Sequence, residues 1–259
     1  MNQLASLRIP FLVLVDFEMR RPRVLTPDEA AANGIQFSFY GKPFVPRAAT
    51  RPFAFSFQPP DQRFYEQQFQ RVWQALQRGE TYVLNLTGCS SVETSWSLPE
   101  LFANSRAPYK ILMPNEWVCF SPEGFVTIEN GVIATFPMKG TADATQPKAL
   151  ELLLADEKEL AEHVTVVDLL RNDLAQVATK VEVKRFRFVT YVETERHRLI
   201  QLSSEIQGRL AGGYEQRLGE IFFSLLPAGS VCGAPKKRTL ELIREVEGEA
   251  RGFYTGVAG

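Results

Sequence analysis

The sequence is poor in the residues that build cross-links. It has three cysteines and two histidines among 259 residues. Cys89, Cys119 and Cys232 are odd in number, far apart and without CxxC spacing, which argues against a disulfide framework and a zinc knuckle. They read as reduced, small apolar side chains of a cytoplasmic protein. Long apolar runs are missing as well. The longest, 9–15, is strand-length and contains Pro10, and the N-terminus has no basic flank leading into an apolar stretch. Neither a membrane span nor a signal peptide is expected. Charge is balanced, with 29 basic and 30 acidic side chains and a formal net charge of −1. No strong field draws such a chain to nucleic acid or anionic lipid. Repeats and low-complexity tracts are absent.

What is present is an ordinary core, 45% apolar and 23% charged, in a length that allows one large domain or two small ones. Residues 8–18 and 35–41 read as strands, and 21–33 as a loop with a short turn. Residues 42–62 hold five prolines and read as an irregular connection, although Phe53, Phe55 and Phe57 alternate as in a strand. An amphipathic helix is expected over 61–78, with Tyr65, Phe69, Val72, Trp73 and Leu76 at helical spacing, Asp61 as its cap and Gly79 as its stop. Strands follow at 81–92, 109–113 and 116–121. The clearest hairpin is GFVTIE-NG-VIATF, where Asn130-Gly131 is the favoured type I′ pair. A second strong helix spans 157–174, with Leu160, Val164, Val167 and Leu170 as its stripe. Long strands at 181–193 and 198–209, helices at about 214–226 and 236–247, and a strand beginning after Gly252 complete the pattern. Strands and helices alternate irregularly, with hairpins, so the class is α+β with mixed and antiparallel sheets flanked by helices.

Four places can carry chemistry. In Pro137-Met138-Lys139-Gly140-Thr141 a lysine at a strand end precedes a glycine, which lets a ligand approach the backbone. The amides of Gly140 and Thr141 can bind an anion. The commoner reading of such a lysine is a solvated turn residue. Ser121-Pro122-Glu123 puts a carboxyl beside that lysine, either as a surface ion pair or, if desolvated, as a general acid. Glu159 and Glu162, three apart on one helix, border the apolar stripe. Oxygen-only carboxylates there suit Mg²⁺, and a plain charged margin with Lys158 is the commoner alternative. His163 beside them reads as structural. Last, Pro227–Lys236 places glycines before a helix whose first turn contains proline, a form suited to a carboxylate at a helix N-terminus. It lacks the Gly-Lys-Ser/Thr of a nucleotide phosphate loop.

Taken in order, SPEGFV (121–126), PMKGT (137–141), EKELAEHVTVVDLLRNDL (157–174), LPAGSVCGAPKKRTLELI (226–243) and RGFYTGVAG (251–259) resemble the chorismate-utilising enzymes. These include anthranilate synthase, isochorismate and salicylate synthases, and aminodeoxychorismate synthase component I. GETYVLNLT (79–87) resembles a further segment of that family. The resemblance runs from about residue 64 to the end, so residues 1–60 read as variable N-terminal strands of the same domain and 61–259 as the catalytic core. Anthranilate and isochorismate enzymes usually carry alanine before the Gly-Thr of the second motif. Aminodeoxychorismate synthases carry lysine, and Lys139 points to that branch.

The resemblance implies a magnesium-dependent transferase of folate and para-aminobenzoate biosynthesis acting on chorismate. Glu162 would bind Mg²⁺ directly and Glu159 through water. Amides of Gly140 and of the Gly233 region would hold carboxylate oxygens, with Thr141, Ser230 and Tyr254 at substrate-contacting positions. Lys139 would be the covalent nucleophile and Glu123 the acid. No glutaminase signature is present, so ammonia is expected from a glutamine amidotransferase subunit, and a pyridoxal-phosphate lyase would act downstream. Two departures stand out. Gln201 in Gln-Leu-Ser-Ser occupies a position where many members have histidine, which leaves a positioning role but no proton charge. The family's last motifs, with a second magnesium ligand, fall beyond Gly259, so the core is expected to be C-terminally incomplete, with little or no activity. Anthranilate synthase and a non-catalytic partner subunit are the alternatives.

Overall fold

The computed structural model describes residues 1–39, 51–193 and 198–259. Its centre is an antiparallel five-stranded sheet organised by Arg198–Arg209, a strand whose residues 202–206 are all buried. A strand buried on both faces loses the polar/apolar alternation of a half-exposed one. On one side it pairs first with Met138–Asp143 and then with Val132–Thr135; on the other it pairs with Thr179–Glu193. The NG hairpin forms as expected. Thr127–Glu129 returns through Asn130 and Gly131, both at positive φ, into Val132–Thr135. Thr179–Glu193 carries three register shifts and exposes Lys180, Lys184 and Arg185, devices that discourage another strand from pairing with this edge.

The helix Glu157–Ala175 lies across this sheet. Its buried face is His163, Val166, Val167, Leu170, Asp173 and Leu174, and the core between helix and sheet adds Ile133, Ile206, Ile221 and Leu225. The expected stripe is therefore rotated. Leu160 and Val164 are 36% and 48% exposed, while two polar residues are inside. The reason is that His163 and Asp173 find buried partners far away in sequence, which apolar periodicity cannot register.

A second layer joins the two ends of the chain. Leu12–Val15 pairs with Arg23–Leu25 and with Val257–Ala258, and Lys110–Met113 pairs with Gln36–Ser38 and Trp117–Phe120. Leu12, Leu14, Ala30, Ile35, Ile111 and Met113 form the core of this layer.

Several expectations need correction here. The region read as a loop, 21–33, contains a strand (Arg23–Leu25) and a helix (Pro27–Ala32). Thr26 and Glu29 form a reciprocal capping box, and proline stands at the helix start. The expected strand 81–92 is broken into Val83–Leu84 and Ser91–Thr94, because the Thr87 amide donates to the Glu247 carboxylate at 2.9 Å instead of joining a ladder. Of the connection 42–62, residues 42–50 lie outside the described residues, as do 40–41 of the expected strand 35–41. The phenylalanine alternation does form a strand, Phe55–Gln58, paired with Ser91–Thr94.

The helix Gln62–Gln77 is capped by Asp61, whose side chain accepts the Phe64 amide at 2.8 Å, and Gly79 follows it at φ +70°. It buries Gln68, Val72 and Ala75, not the aromatic stripe. Gln68 donates to the Val246 carbonyl at 3.0 Å, while Tyr65, Phe69 and Trp73 stay exposed. The helices Leu218–Ser224 and Lys236–Glu247 form as expected.

Candidate active site

The site is best built from a register slip. The register against the central strand is the same at Val132–Thr135 and at Met138, and shifts by one residue between Met138 and Thr141. Lys139 and Gly140 therefore oppose a single residue, Leu202, in a β-bulge. The chain accepts the extra residue because Gly140 takes φ +86°, which costs a glycine little and an L side chain more. A bulge re-aims the side chains beside it, and here it turns Lys139 out to an exposed position.

Three elements close around this bulge. A Cβ at Gly140 would stand 3.1 Å from Leu153 Cδ1 and 3.5 Å from Glu159 Oε2, so the glycine admits both neighbours. Glu159 is set in the first turn of its helix, where the Asp156 side chain accepts the Glu159 amide at 3.0 Å. A carboxylate there is favoured by the helix dipole. One turn on, His163 is fully buried, its Nε2 2.6 Å from Ser204 Oγ. The Ser204 amide donates to the Pro137 carbonyl at 3.0 Å, and Ser204 Oγ accepts the Arg187 amide at 3.0 Å. The Arg187 guanidinium in turn donates to the Leu153 and Leu154 carbonyls at 3.0 and 3.2 Å. The ring runs from Leu153 to Glu159, His163, Ser204 and Arg187, and encircles Lys139-Gly140. Burial pushes His163 toward its neutral form, with the charges of Arg187 and Lys139 acting in the same direction and the Lys139 backbone opposing them.

Glu123 comes from the irregular segment between Trp117–Phe120 and Thr127–Glu129, not from a strand start. Thr135 Oγ1 donates to the Phe125 carbonyl at 2.8 Å and moors that segment to the strand leading to Lys139. Residue 123 is exposed as a whole, yet protein atoms crowd its carboxyl. That desolvation raises it above the ordinary carboxylate range, against the opposing pull of Lys139 and the Met138 amide. The Glu123 carboxyl therefore stands within electrostatic reach of Lys139, the neighbour expected from sequence. Gln201 pairs with Thr141 across the sheet, which adds both to the group.

Glu159 is half-buried, and Glu162 is exposed with Lys158 at 3.6 Å. Two oxygen donors at a wet helix margin fit an Mg²⁺ ion held by few protein ligands. Among the described residues no cluster of three or more His, Cys, Asp or Glu is assembled.

Ser230, Gly233 and Tyr254 form a second group. Its loop is fixed at the far end of the same helix, at Asp173, about 16 Å along the axis from Glu162 at roughly 1.5 Å per residue. Asp173, itself buried, binds Lys236 at 3.0 Å and accepts the Gly229 amide at 3.2 Å. Gly233 has a packing reason of its own: a Cβ there would lie 1.9 Å from the Val83 carbonyl oxygen. Arg251 reaches the Val231 carbonyl at 2.8 Å and pairs with Glu247, and both side chains are buried. Tyr254, in the following turn, is exposed. Two surface depressions, of about 560 and 200 Å³, lie near Ala149 and Tyr214, and Lys139 and Glu123 line neither.

Sequence reading took His163 as structural and assigned no role to Ser204, Arg187, Asp173 or Arg251. The available signal was His163, one of only two histidines, four residues after Glu159 on the same helical face.

This fold and this arrangement belong to a known class. The chain is a member of the chorismate-binding enzyme family, whose model matches residues 26–259. The match begins well before residue 64, so it takes in much of the stretch that carries no recognisable motif.

Among individual relatives, an uncharacterised PabA-like protein of Pasteurella multocida is 44% identical over the whole chain, which spans 81% of that protein. Aminodeoxychorismate synthase component 1 of Bacillus subtilis is 31% identical over 75% of this chain and 43% of its own. The crystal structure of anthranilate synthase component I from Streptococcus pneumoniae superposes with a TM-score of 0.63 at 27% identity, covering 98% of this chain and 51% of that one. Among the described residues no helix is long and apolar enough to cross a membrane.

Proposed function

We propose that this chain carries the chorismate-converting chemistry of an aminodeoxychorismate synthase, with Lys139 as nucleophile and Glu123 as acid. The observation behind this reading is the bulge that turns Lys139 outward beside a carboxyl raised by desolvation. Mg²⁺ at Glu162 and, through water, Glu159 would supply positive charge for the ring carboxylate of chorismate. The amides of Gly140 and Gly233 would hold carboxylate oxygens, with Thr141, Gln201, Ser230 and Tyr254 orienting the ring.

The Lys139 amine has to be unprotonated to attack, and Glu123 is the neighbour able to hold the proton. Nζ bonds to C2, the two ring double bonds shift together, from C1=C2 and C5=C6 to C6=C1 and C4=C5, and the 4-hydroxyl leaves as water with the Glu123 proton. Ammonia then bonds to C4, both double bonds shift back, and the C2–Nζ bond breaks. The proton lost by the incoming amine returns to the Lys139–Glu123 pair. The net change is chorismate plus ammonia to 4-amino-4-deoxychorismate plus water. In a cytoplasmic setting ammonia would come from a glutamine amidotransferase subunit, and a lyase would consume the product on the route to para-aminobenzoate.

The test is Lys139→Ala with chorismate, Mg²⁺ and ammonium. Product formation is expected to vanish while the fold is kept. Withholding ammonium from the wild type should trap an adduct on Lys139, heavier by one chorismate less one water. Undiminished turnover by Lys139→Ala rules out the covalent role. The likeness to anthranilate synthase component I supports a second reading, anthranilate formation at the same site. Anthranilate fluorescence in the same assay would decide for it.

A further inference from the structure

His163 is only 1% exposed beside the bulge, and one of its two ring nitrogens is spoken for. Ser204 Oγ already accepts the Arg187 amide, so its own proton is free, and the atom it meets is His163 Nε2 at 2.6 Å. A hydroxyl donating to Nε2 leaves the proton of the neutral ring on Nδ1. That nitrogen is buried and has no hydrogen-bond partner within ordinary geometry. A buried donor without an acceptor is costly and calls for an explanation.

The surroundings supply one. Glu159 and His163, one helical turn apart, straddle the bulge. Glu159 lies against Gly140, and His163 lies against Ser204, whose amide holds Pro137. The backbone between these two fixed points is Met138-Lys139-Gly140. No ladder partner opposes the extra residue, so this backbone lacks the restraint that the rest of the strand has.

We infer that His163 is a positioning residue for Lys139. Its Nδ1–H is the donor reserved for the Lys139 backbone carbonyl, and closing that bond locks the bulge with the amine aimed at the substrate. Bonds of this kind are commonly long in the free enzyme and tighten in the complex. The inference rests on the reading of Lys139 as nucleophile only for its effect on turnover. The restraint on the bulge stands independently of it.

Asparagine presents its amide N–H near the Nδ1 position, glutamine near the Nε2 position, and leucine presents neither. The experiment compares His163→Asn, His163→Gln and His163→Leu by steady-state kinetics and by hydrogen exchange of a peptide covering residues 138–142. His163→Gln and His163→Leu are expected to lose on the order of 10- to 100-fold in kcat, the size of a small misplacement of a reacting group, with KM for chorismate little changed. Exchange at 138–142 should quicken in both, and His163→Asn should recover most of the kcat and the protection.

Asparagine as impaired as glutamine, or exchange at 138–142 unmoved by glutamine and leucine, overturns the inference. If leucine prevents folding, the asparagine–glutamine contrast carries the test. If Lys139→Ala keeps its turnover while the exchange pattern follows expectation, the nucleophile assignment fails and the positioning of the bulge by His163 stands.

Discussion

Gly140→Ala tests the bulge where its geometry is most constrained. The backbone at φ +86° lies in the left-handed region, where an L residue costs about 1–2 kcal/mol. The added methyl would also meet Leu153 Cδ1 at 3.1 Å, and Leu153 is 93% removed from solvent, so it cannot swing aside freely. Overpacking at such a contact adds about 1 kcal/mol, while alanine stiffens the unfolded chain and returns roughly 0.5 kcal/mol. A net destabilisation of about 2 kcal/mol is expected in urea titrations. The second expectation is kinetic: a relaxed bulge no longer aims Lys139, so kcat falls by about tenfold or more.

Leu153→Ala separates the two causes. In a double-mutant cycle it should relieve the steric part of the Gly140→Ala penalty, a coupling of about 1 kcal/mol, and leave the backbone part untouched. An unchanged urea midpoint for Gly140→Ala would refute the bulge. A destabilised protein with wild-type kcat would leave the bulge standing and refute its part in aiming the lysine.

Two further outcomes follow from buried charge. Arg251→Met leaves Glu247 buried without its cation and frees the Val231 and Asn85 carbonyls. Thermal or urea unfolding should show a loss of about 3–5 kcal/mol, largely recovered when Glu247→Gln is added; a loss below about 1 kcal/mol would contradict the buried pair. Glu123 concerns pH. Its folded carboxyl is raised by desolvation, so the native state holds the proton more tightly than the unfolded chain does. Its stabilising contribution is therefore full below the ordinary carboxylate value and is lost as pH rises through the folded value. Relative to wild type, Glu123→Gln should gain stability across that rise, and a difference that is flat with pH would show that the carboxyl is not desolvated.

How much of this was legible in the sequence depends on the distance over which each feature is decided. The NG hairpin, the Asp61 cap and the α+β class are local or statistical, and they were read correctly. The capping box Thr26–Glu29 was equally local but went unread, because two prolines nearby suggested a loop. Faces of helices were less legible. The helix Glu157–Ala175 could be recognised, yet its buried side could not, because His163 and Asp173 are paid for by Ser204, Lys236 and Gly229, which are remote in sequence. The aromatic stripe of Gln62–Gln77 failed for a related reason. Periodicity tells which residues share a face, and only the neighbouring helix Lys236–Glu247 decides which face is used.

The site divides along the same line. Motif order singles out Lys139, Glu123, Glu159 and Glu162 as candidates. It carries no information on how the lysine is presented. That depends on a one-residue mismatch between 138–141 and 201–203, segments about sixty residues apart. A lysine in a regular strand would have its direction set by the two-residue alternation and its backbone held by ladder bonds on both sides. In the bulge it escapes that alternation and loses part of that support. The residues around it, with Leu153 and Glu159 against Gly140 and with His163 and Ser204 behind Lys139, are where the lost restraint is made good. Substitutions in this ring should therefore act on the aim of Lys139 before they act on the binding of chorismate, and a split between kcat and KM is the measurement that separates the two.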